Sequence, residues 1–314
     1  MQYKRLKLDI DGLLLIDKSH GISSNQIVSK IKFLFTPKKV GHTGTLDPMA
    51  TGLLPICLGE ATKFSSYLLN ADKTYKAVIK LGYKSSTGDS EGKIIKQDIK
   101  ILPSLNSIKK VLKEFTGQIY QIPPMFSALK YKGKPLYLYA RKGLAIKRTK
   151  RKIMIYAIEV LDFYEDKLKL KIECSKGTYI RTLAEDIGAK LNVGAYLLEL
   201  ERTNIGHLKL EKALKIEEIE KLKDENKPEI LLPMETLLNS FKKMNLKIKE
   251  ENALKDGKII KKTKILSGYY RLYGEGNKFI GLGEVDELEN LKVKRLISQV
   301  KKWFKYIVNL LKCR

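Results

Sequence analysis

Residues 41–52 read Gly-His-Thr-Gly-Thr-Leu-Asp-Pro-Met-Ala-Thr-Gly. Three glycines, three threonines and one proline in twelve positions exclude a helix or a regular strand, so a tightly folded loop is predicted. Its single carboxylate, Asp47, precedes Pro48, which restricts Asp47 to extended backbone angles. A lone acid on a stiff loop is a candidate nucleophile or general base. The alternative is an ordinary surface turn, because Asp and Gly are common turn residues.

The chain is strongly basic. Its 314 residues contain 61 Lys and Arg against 35 Asp and Glu, which gives a formal net charge of +26. A protein this basic attracts polyanions, and nucleic acid is the first partner to consider. A lysine-rich compositional bias without a binding role would give the same excess, so charge alone leaves the partner open. The length is enough for about two domains.

The cysteines, histidines and apolar runs show whether the chain has the features of a disulfide-rich, metal-binding, secreted or membrane-spanning protein. Cys57, Cys174 and Cys313 are far apart and odd in number, so neither a disulfide framework nor a zinc site is predicted, and Cys57 and Cys174 are expected to be buried. The histidines are scattered and no glycine-rich phosphate loop is present, so we expect no metal and no other cofactor. The N-terminus lacks the apolar stretch of a signal peptide, and no run of about 18 apolar residues offers a membrane span. A soluble, cytoplasmic protein is expected.

Hydrophobic periodicity predicts a mixture of strands and helices. Predicted strands cover residues 12–16, 53–58, 74–81, 168–174 and 196–205. Predicted helices cover residues 23–35, 104–115 and a segment from about 178. Ser23 and Gln26 have the spacing of a capping box at the first helix.

The pattern changes near residue 246. From there to about residue 300, short alternating segments are separated by glycines, which is typical of a small β domain. Residues 301–314 place apolar side chains at helical spacing among lysines, which predicts a basic amphipathic tail helix. Packing of this helix on the small domain is favoured over a membrane role.

The loop is followed along the chain by further short motifs. The loop continues as Ala50-Thr51-Gly52-Leu53-Leu54-Pro55, and four motifs follow it: Lys73-Thr74-Tyr75, Ile122-Pro123-Pro124 with Ser127-Ala128, Tyr139-Ala140-Arg141, and Gly177-Thr178-Tyr179-Ile180-Arg181. Together they resemble the bacterial tRNA pseudouridine synthases of the TruB family, over residues 12–300. One departure is Ser19, which stands where the family usually has a proline, and we expect from it only a small change in loop stiffness.

The resemblance implies an α+β fold with two domains. Residues 1–245 would form the pseudouridine synthase catalytic domain, a mixed, mainly antiparallel sheet flanked by helices, with tRNA-binding insertions. Residues 246–300 would form a small, β-rich, PUA-like RNA-binding domain. The tail at 301–314 extends beyond the usual end of the family.

The resemblance also implies an isomerase that converts uridine 55 in the T loop of tRNA to pseudouridine after flipping the nucleotide out. Asp47 matches the catalytic carboxylate, and Arg181 would hold it ionised and oriented. The positions that match substrate-binding residues are His42, Tyr75, Tyr179, Arg181 and Leu200. The candidate contacts to the RNA backbone are Lys63, Arg141, Arg148 and Arg151, the last three from a basic block at residues 141–152 that is alternatively a solvated face.

The implied partner is the T stem-loop of tRNA, bound by a monomer with no cofactor, no membrane contact and no obligatory protein partner. One alternative is a tRNA-folding chaperone, with or without catalysis, which would use the same basic surface. A second is a guide-RNA-dependent relative, which would need protein partners. A glycosidase is disfavoured because such enzymes normally use two paired acids, and the loop has one.

Overall fold

The computed structural model describes residues 7–298. The predicted tail helix at 301–314 lies outside these residues. The strands are β1 (Gly12–Lys18), β2 (Val40–His42), β3 (Thr51–Leu58), β4 (Lys73–Leu81), β5 (Tyr83–Ser85), β6 (Ile94–Lys96), β7 (Gly117–Gln121), β8 (Lys130–Tyr131), β9 (Lys134–Pro135), β10 (Arg151–Tyr164), β11 (Lys167–Cys174), β12 (Ala195–Ile205), β13 (Leu208–Lys209), β14 (Leu214–Lys215), β15 (Lys242–Asn245), β16 (Ile260–Lys261), β17 (Gly268–Tyr273), β18 (Phe279–Val285) and β19 (Asn290–Leu296).

Short and medium helices connect these strands. The α-helices are α1 (Ser24–Phe35), α2 (Ser65–Leu69), α3 (Leu105–Glu114), α4 (Leu136–Ala140), α5 (Ile180–Lys190), α6 (Ile216–Glu220) and α7 (Ile248–Lys255). The 3₁₀ helices are Gly59–Phe64, Leu210–Lys212, Lys227–Ile230, Met234–Leu238 and Glu275–Asn277. In the part of the chain that the structure describes, no helix is long and apolar enough to cross a membrane.

A large mixed sheet organises the first part of the chain. Its strand order is β14-β1-β3-β12-β4-β11-β10-β7, with β2 paired to β3 and β13 paired to β12. The pairs β1/β14 and β3/β12 are parallel, and the other neighbours are antiparallel. The predicted α+β fold with a mainly antiparallel sheet is therefore confirmed.

The two faces of the sheet bury different sets of side chains. On one face, alternate residues of β4 pack with the apolar sides of α1, α3 and α5 in the main core. The opposite face of β1 and β3 buries Leu13, Leu15 and Leu53 in a second core. This division follows from strand geometry, because successive side chains of a strand point to opposite faces.

The C-terminal part forms a separate five-stranded sheet in the order β15-β17-β18-β19-β16. It has a core of its own, but Tyr273, Phe279 and Leu282 belong to the second core under β1 and β3. The predicted small β domain is thus a real sheet that shares apolar packing with the large one. It begins at Lys242, a few residues before the predicted boundary at 246.

Two local predictions from the sequence are confirmed, and one long strand was not predicted. The capping box is confirmed, because Ser23 accepts from the Gln26 N–H while the Gln26 side chain accepts from the Ser23 N–H. Cys57 and Cys174 are buried, as expected. The longest strand, β10, is absent from the sequence-based prediction, because two bulges interrupt its alternation and it begins inside the basic block.

Candidate active site

Buried polar side chains fix the loop that carries Asp47. The Ser24 hydroxyl, at the start of α1, accepts from the Leu46 N–H and donates to the Leu46 carbonyl, both at 2.9 Å. The Lys18 ammonium, which is fully buried, donates to the Pro48 carbonyl at 3.2 Å. Both neighbours of Asp47 are therefore tied by hydrogen bonds to the end of β1 and the start of α1.

Arg202 holds the same loop from the sheet side. This arginine is 2% exposed, and its guanidinium donates to the carbonyls of Leu53 at 2.9 Å, Gly44 at 3.0 Å and Thr45 at 3.5 Å. The backbone of Gly52 runs so close to β12 that a Cβ there would lie 2.5 Å from the Arg202 carbonyl oxygen. A buried charge needs such partners, since an unpaired one is strongly destabilising.

Arg181, in the first turn of α5, bridges two carboxylates. Its Nε lies 3.0 Å from Asp47 Oδ2, and its Nη1 lies 3.3 Å from Asp89 Oδ2. The remaining donors reach the carbonyls of Phe126 at 2.7 Å and Thr87 at 3.3 Å. Because all three nitrogens are engaged, the guanidinium has one well-defined orientation toward Asp47.

The three charged side chains differ in their access to solvent. The Asp47 side chain is 35% exposed, whereas those of Arg181 and Asp89 are 5% and 3% exposed. Burial of the site raises the pKa of Asp47, the Arg181 guanidinium opposes this rise, and the Asp89 charge adds to it. Asp47 is therefore the member of this trio that a bound molecule can touch.

Tyr75 lies on β4 directly opposite Arg202 of β12. It is almost fully buried on the core face that the alternation of β4 predicted. Burial raises its pKa, which Arg202 opposes, so the phenol stays protonated at neutral pH. The Asp47 charge adds slightly to the rise in the pKa of Tyr75, so the two groups act on each other electrostatically.

Tyr179 and Leu200 lie at the edges of this site. Tyr179 immediately precedes α5, and burial raises the pKa of its phenol, on which both Arg181 and Asp47 act. Leu200 is 8% exposed and lines a cleft of about 640 Å³ beside the loop, together with Met49. The structure thus brings Asp47 together with Arg181, Tyr75 and Tyr179, and places Leu200 in the adjacent cleft.

His42 is half-buried at the entrance to the loop, at the end of β2. Its Nδ1 accepts from the Gly44 N–H at 3.2 Å, which requires that nitrogen to carry no proton. Burial and the positive charge of Arg202 both lower the pKa of His42. The ring is therefore neutral at pH 7, and a neutral planar ring can stack on a nucleobase.

The predicted RNA-backbone residues are not part of the Asp47 cluster. Lys63 makes an ion pair with Glu60 at 2.7 Å and donates to the Ser298 hydroxyl at 3.0 Å, where the two sheets meet. Arg148 donates to the Pro123 carbonyl at 3.0 Å. Arg141 lies over the ring of Tyr137 and Arg151 is exposed at the start of β10. Their contact with RNA stays a prediction.

Asp89, Arg202 and Lys18 contribute to the site but are not predicted from the sequence to do so. Asp89 lies in a turn that looks ordinary in the sequence, and its burial depends on Arg181 far along the chain. Arg202 did leave a signal, because it shares the inward face of β12 with Leu200. Backbone carbonyl oxygens hold the ammonium of Lys18. Burial destabilises this charged form and lowers the pKa of Lys18 to about 8. Within residues 7–298, no cluster of His, Cys, Asp or Glu could hold a metal ion.

Family sequence models match most of the chain, between residues 32 and 297. The model described as "TruB family pseudouridylate synthase (N terminal domain)" matches residues 32–180. The model "tRNA pseudouridylate synthase B C-terminal domain" matches residues 181–239, and "Pseudouridine synthase II TruB, C-terminal" matches residues 243–297.

Similar proteins and structures agree with these matches. The chain is 44% identical over 300 residues to the tRNA pseudouridine synthase B of Methylobacillus flagellatus, covering 95% of this chain and 99% of the relative. It is 43% identical to that of Aromatoleum aromaticum, covering 95% and 96%. Among solved structures, a chain of a Cbf5-Nop10-Gar1 complex is 25% identical with a TM-score of 0.67, covering 91% of this chain and 84% of that one.

Proposed function

The chain belongs to the TruB family of pseudouridylate synthases, which are isomerases, and from this premise we propose that it converts uridine 55 in the T loop of tRNA to pseudouridine. The relatives at 43–44% identity are named tRNA pseudouridine synthase B, and the similarity covers nearly their whole length. That similarity supports tRNA as the substrate. The choice of uridine 55 rests on the resemblance of the loop motif.

The observation that carries the proposal is the ion pair between Asp47 and Arg181. Arg181 is fixed by buried partners and points its Nε at a carboxylate that is one-third open to solvent. A substrate can therefore reach Asp47 while its counter-ion stays protected from water. This arrangement supports Asp47 as the catalytic carboxylate, because a nucleophile or base must be ionised, oriented and accessible.

The reaction is an isomerisation, so it consumes no oxidant, reductant or second substrate. The bond between ribose C1′ and N1 breaks, the freed uracil turns, and a bond between C1′ and C5 forms. N1 gains a proton and C5 loses one to solvent. Ionised Asp47 attacks C1′ of the ribose, attacks the base or removes the 2′ proton, and in each case Arg181 keeps the charge in place. No cofactor is required.

The neighbouring residues suit a base that has been flipped out of its loop. Tyr75 and Tyr179 offer protonated phenols beside Asp47, and Leu200 offers an apolar wall. Extrusion of the nucleotide costs roughly a few kcal/mol. The neutral ring of His42 at the rim can stack in the space that the base leaves, which would offset part of this cost.

The two domains have different roles in the proposed function. Residues 1–245 act as the catalytic domain with tRNA-binding insertions, and residues 246–300 as a PUA-like RNA-binding domain. The basic side chains of Lys63, Arg141, Arg148 and Arg151 contact the RNA backbone, and the high net positive charge supports this assignment. The protein acts as a cytoplasmic monomer without an obligatory protein partner.

The test is tritium release from 5-tritiated uridine in a T stem-loop RNA. The wild type should release tritium, and Asp47→Asn should release none while it still binds the RNA. Asp98→Asn removes the same charge from an exposed carboxylate and is the matched control, expected to behave as the wild type. Absence of release by the wild type, with RNA binding intact, would favour a tRNA-folding role without catalysis or a guide-RNA-dependent enzyme.

A further inference from the structure

A buried glutamine clamps the backbone of Tyr179 from both sides. Gln121 is 2% exposed at the end of β7. Its Nε2 donates to the Tyr179 carbonyl at 3.0 Å, and its Oε1 accepts from the Tyr179 N–H at 2.8 Å. Because the amide uses one donor and one acceptor on the same residue, both its position and its orientation are fixed.

The clamped residue governs the start of α5. Tyr179 is the N-cap residue, it has no side-chain cap of its own, and its carbonyl also accepts from the Leu183 N–H at 3.0 Å. The first turn of a helix has no intrahelical partners for its N–H groups, so its position depends on contacts from outside. Arg181 lies in this first turn and carries the contact to Asp47.

The chain that follows Gln121 returns to the same place. Five residues later, the Phe126 carbonyl accepts from Arg181 Nη2 at 2.7 Å. Residues 121–126 therefore contact the backbone two positions before Arg181 and also the guanidinium itself. One short segment thus fixes the beginning of α5 and the side chain that it presents.

We propose that Gln121 is a positioning residue, which sets the first turn of α5 so that Tyr179 and Arg181 meet Asp47 in the reactive geometry. The inference rests on the proposed pseudouridine synthase function. Gln121 does not touch the reacting atoms, and its effect passes through the backbone of Tyr179. Small displacements of a charged partner are enough to slow a reaction that depends on orientation.

Gln121→Leu removes both hydrogen bonds at similar volume. We expect kcat for tritium release to fall about tenfold or more, while the Kd for the T stem-loop RNA stays within about twofold of the wild type. Gln118→Leu is the matched control, because Gln118 is exposed on the same strand. It should leave both constants unchanged.

Gln121→Glu gives a signature that a general loss of packing would not produce. When ionised, the introduced carboxylate still accepts from the Tyr179 N–H, but it faces the Tyr179 carbonyl with a second acceptor. When protonated, the introduced carboxyl group can donate to that carbonyl as the glutamine does. The ratio of the kcat of this variant to that of the wild type should therefore rise as the pH falls, and division by the wild-type value removes the titration of Asp47.

A readout without catalysis separates this inference from the proposed function. In ¹⁵N-arginine NMR, hydrogen exchange at the Arg181 Nε–H should be at least tenfold faster in Gln121→Leu than in wild type or Gln118→Leu. Unchanged exchange in folded Gln121→Leu, or a pH-independent ratio for Gln121→Glu, would overturn the positioning role. Absence of tritium release by the wild type would instead contradict the proposed function, and the exchange measurement would still decide the role of Gln121. If Gln121→Leu does not fold, the exchange rate in Gln121→Glu is divided by the wild-type rate at the same pH, and a larger ratio at high than at low pH supports the positioning role, whereas a constant ratio overturns it.

Discussion

At the scale of single residues, Arg181 is shared unequally by two carboxylates. Asp89 is buried and Asp47 is open, so Asp89 acts on the reaction only through the guanidinium and through its own negative charge. The motif identified Asp47 and Arg181, because both belong to short segments with a distinctive sequence. It could not identify Asp89, whose burial is created by the folding of α5 onto a turn of common composition.

The charge of Asp89 leads to a pH prediction. Asp89 raises the pKa of Asp47, so Asp89→Asn should lower that pKa. Activity needs ionised Asp47 and is lost as the pH falls through its pKa, so the acid limb of the pH profile of kcat should move to lower pH. Looser orientation of Arg181 should also reduce the plateau by roughly tenfold.

The measurement is kcat for tritium release across the acid range. The asparagine keeps an oxygen that accepts from Arg181, so the ion pair with Asp47 should persist. Asp98→Asn, an equal change of charge on the surface, should leave the limb in place. A shift of the limb to higher pH in Asp89→Asn would mean that Arg181 had left Asp47, which would contradict the predicted effect of the Asp89 charge.

At the scale of elements, the site depends on how closely the loop approaches β12. Gly52 has a φ of +95°, and a Cβ would meet the Arg202 carbonyl oxygen at 2.5 Å and the Arg202 nitrogen at 2.9 Å. Only glycine fits this conformation without strain. The contact joins β3 to β12 in parallel and holds Arg202 under the loop.

Gly52→Ala should therefore separate β3 from β12 at this point. We expect the free energy of unfolding to fall by roughly 2–4 kcal/mol, measured by urea denaturation, with a parallel loss of kcat. Gly41→Ala is the control in the same loop, because a Cβ at Gly41 meets nothing within 4 Å. Equal stability of the two variants would contradict the close approach.

Elements differ in how far the sequence predicts them. The helix α1 is predicted to within a residue, because its caps and its apolar face are local features. The strand β10 is not, because its bulges reset the alternation and much of it is exposed. Arg202 shows the same limit in part. Its spacing from Leu200 places it on the inward face of β12, but an arginine in a strand normally indicates a surface, and here distant segments supply the carbonyls that bury it.

At the scale of the whole molecule, the two sheets are joined by a common core. The ring of Phe279 from β18 packs edge-on against Phe64 and Tyr273, with ring centroids 5.7 Å apart in each pair. Lys63 and Glu60 add polar contacts to Ser298 at the same junction. The sequence predicted a β-rich C-terminal domain but carried no sign of this junction, because the residues of the junction are far apart along the chain.

Phe279→Ala should destabilise both sheets together. We expect a loss of about 3–5 kcal/mol in the free energy of unfolding, with one cooperative transition by circular dichroism and weaker hydrogen-exchange protection in β1 and β3. Leu288→Ala removes an exposed side chain from the same C-terminal unit and should cost less than about 0.5 kcal/mol. Two separate transitions, with β1 and β3 unaffected, would contradict the common core.

The shared core also restricts how this chain can diverge. A C-terminal unit taken from a relative would bring its own counterpart of Phe279 to a surface shaped by Phe64 of the recipient. The two units therefore cannot be exchanged as independent modules, and substitutions on one side of the junction must be accompanied by changes on the other. The boundary between the domains separates the two sheets. The side chains that pack across this boundary must nevertheless change together as the sequence diverges.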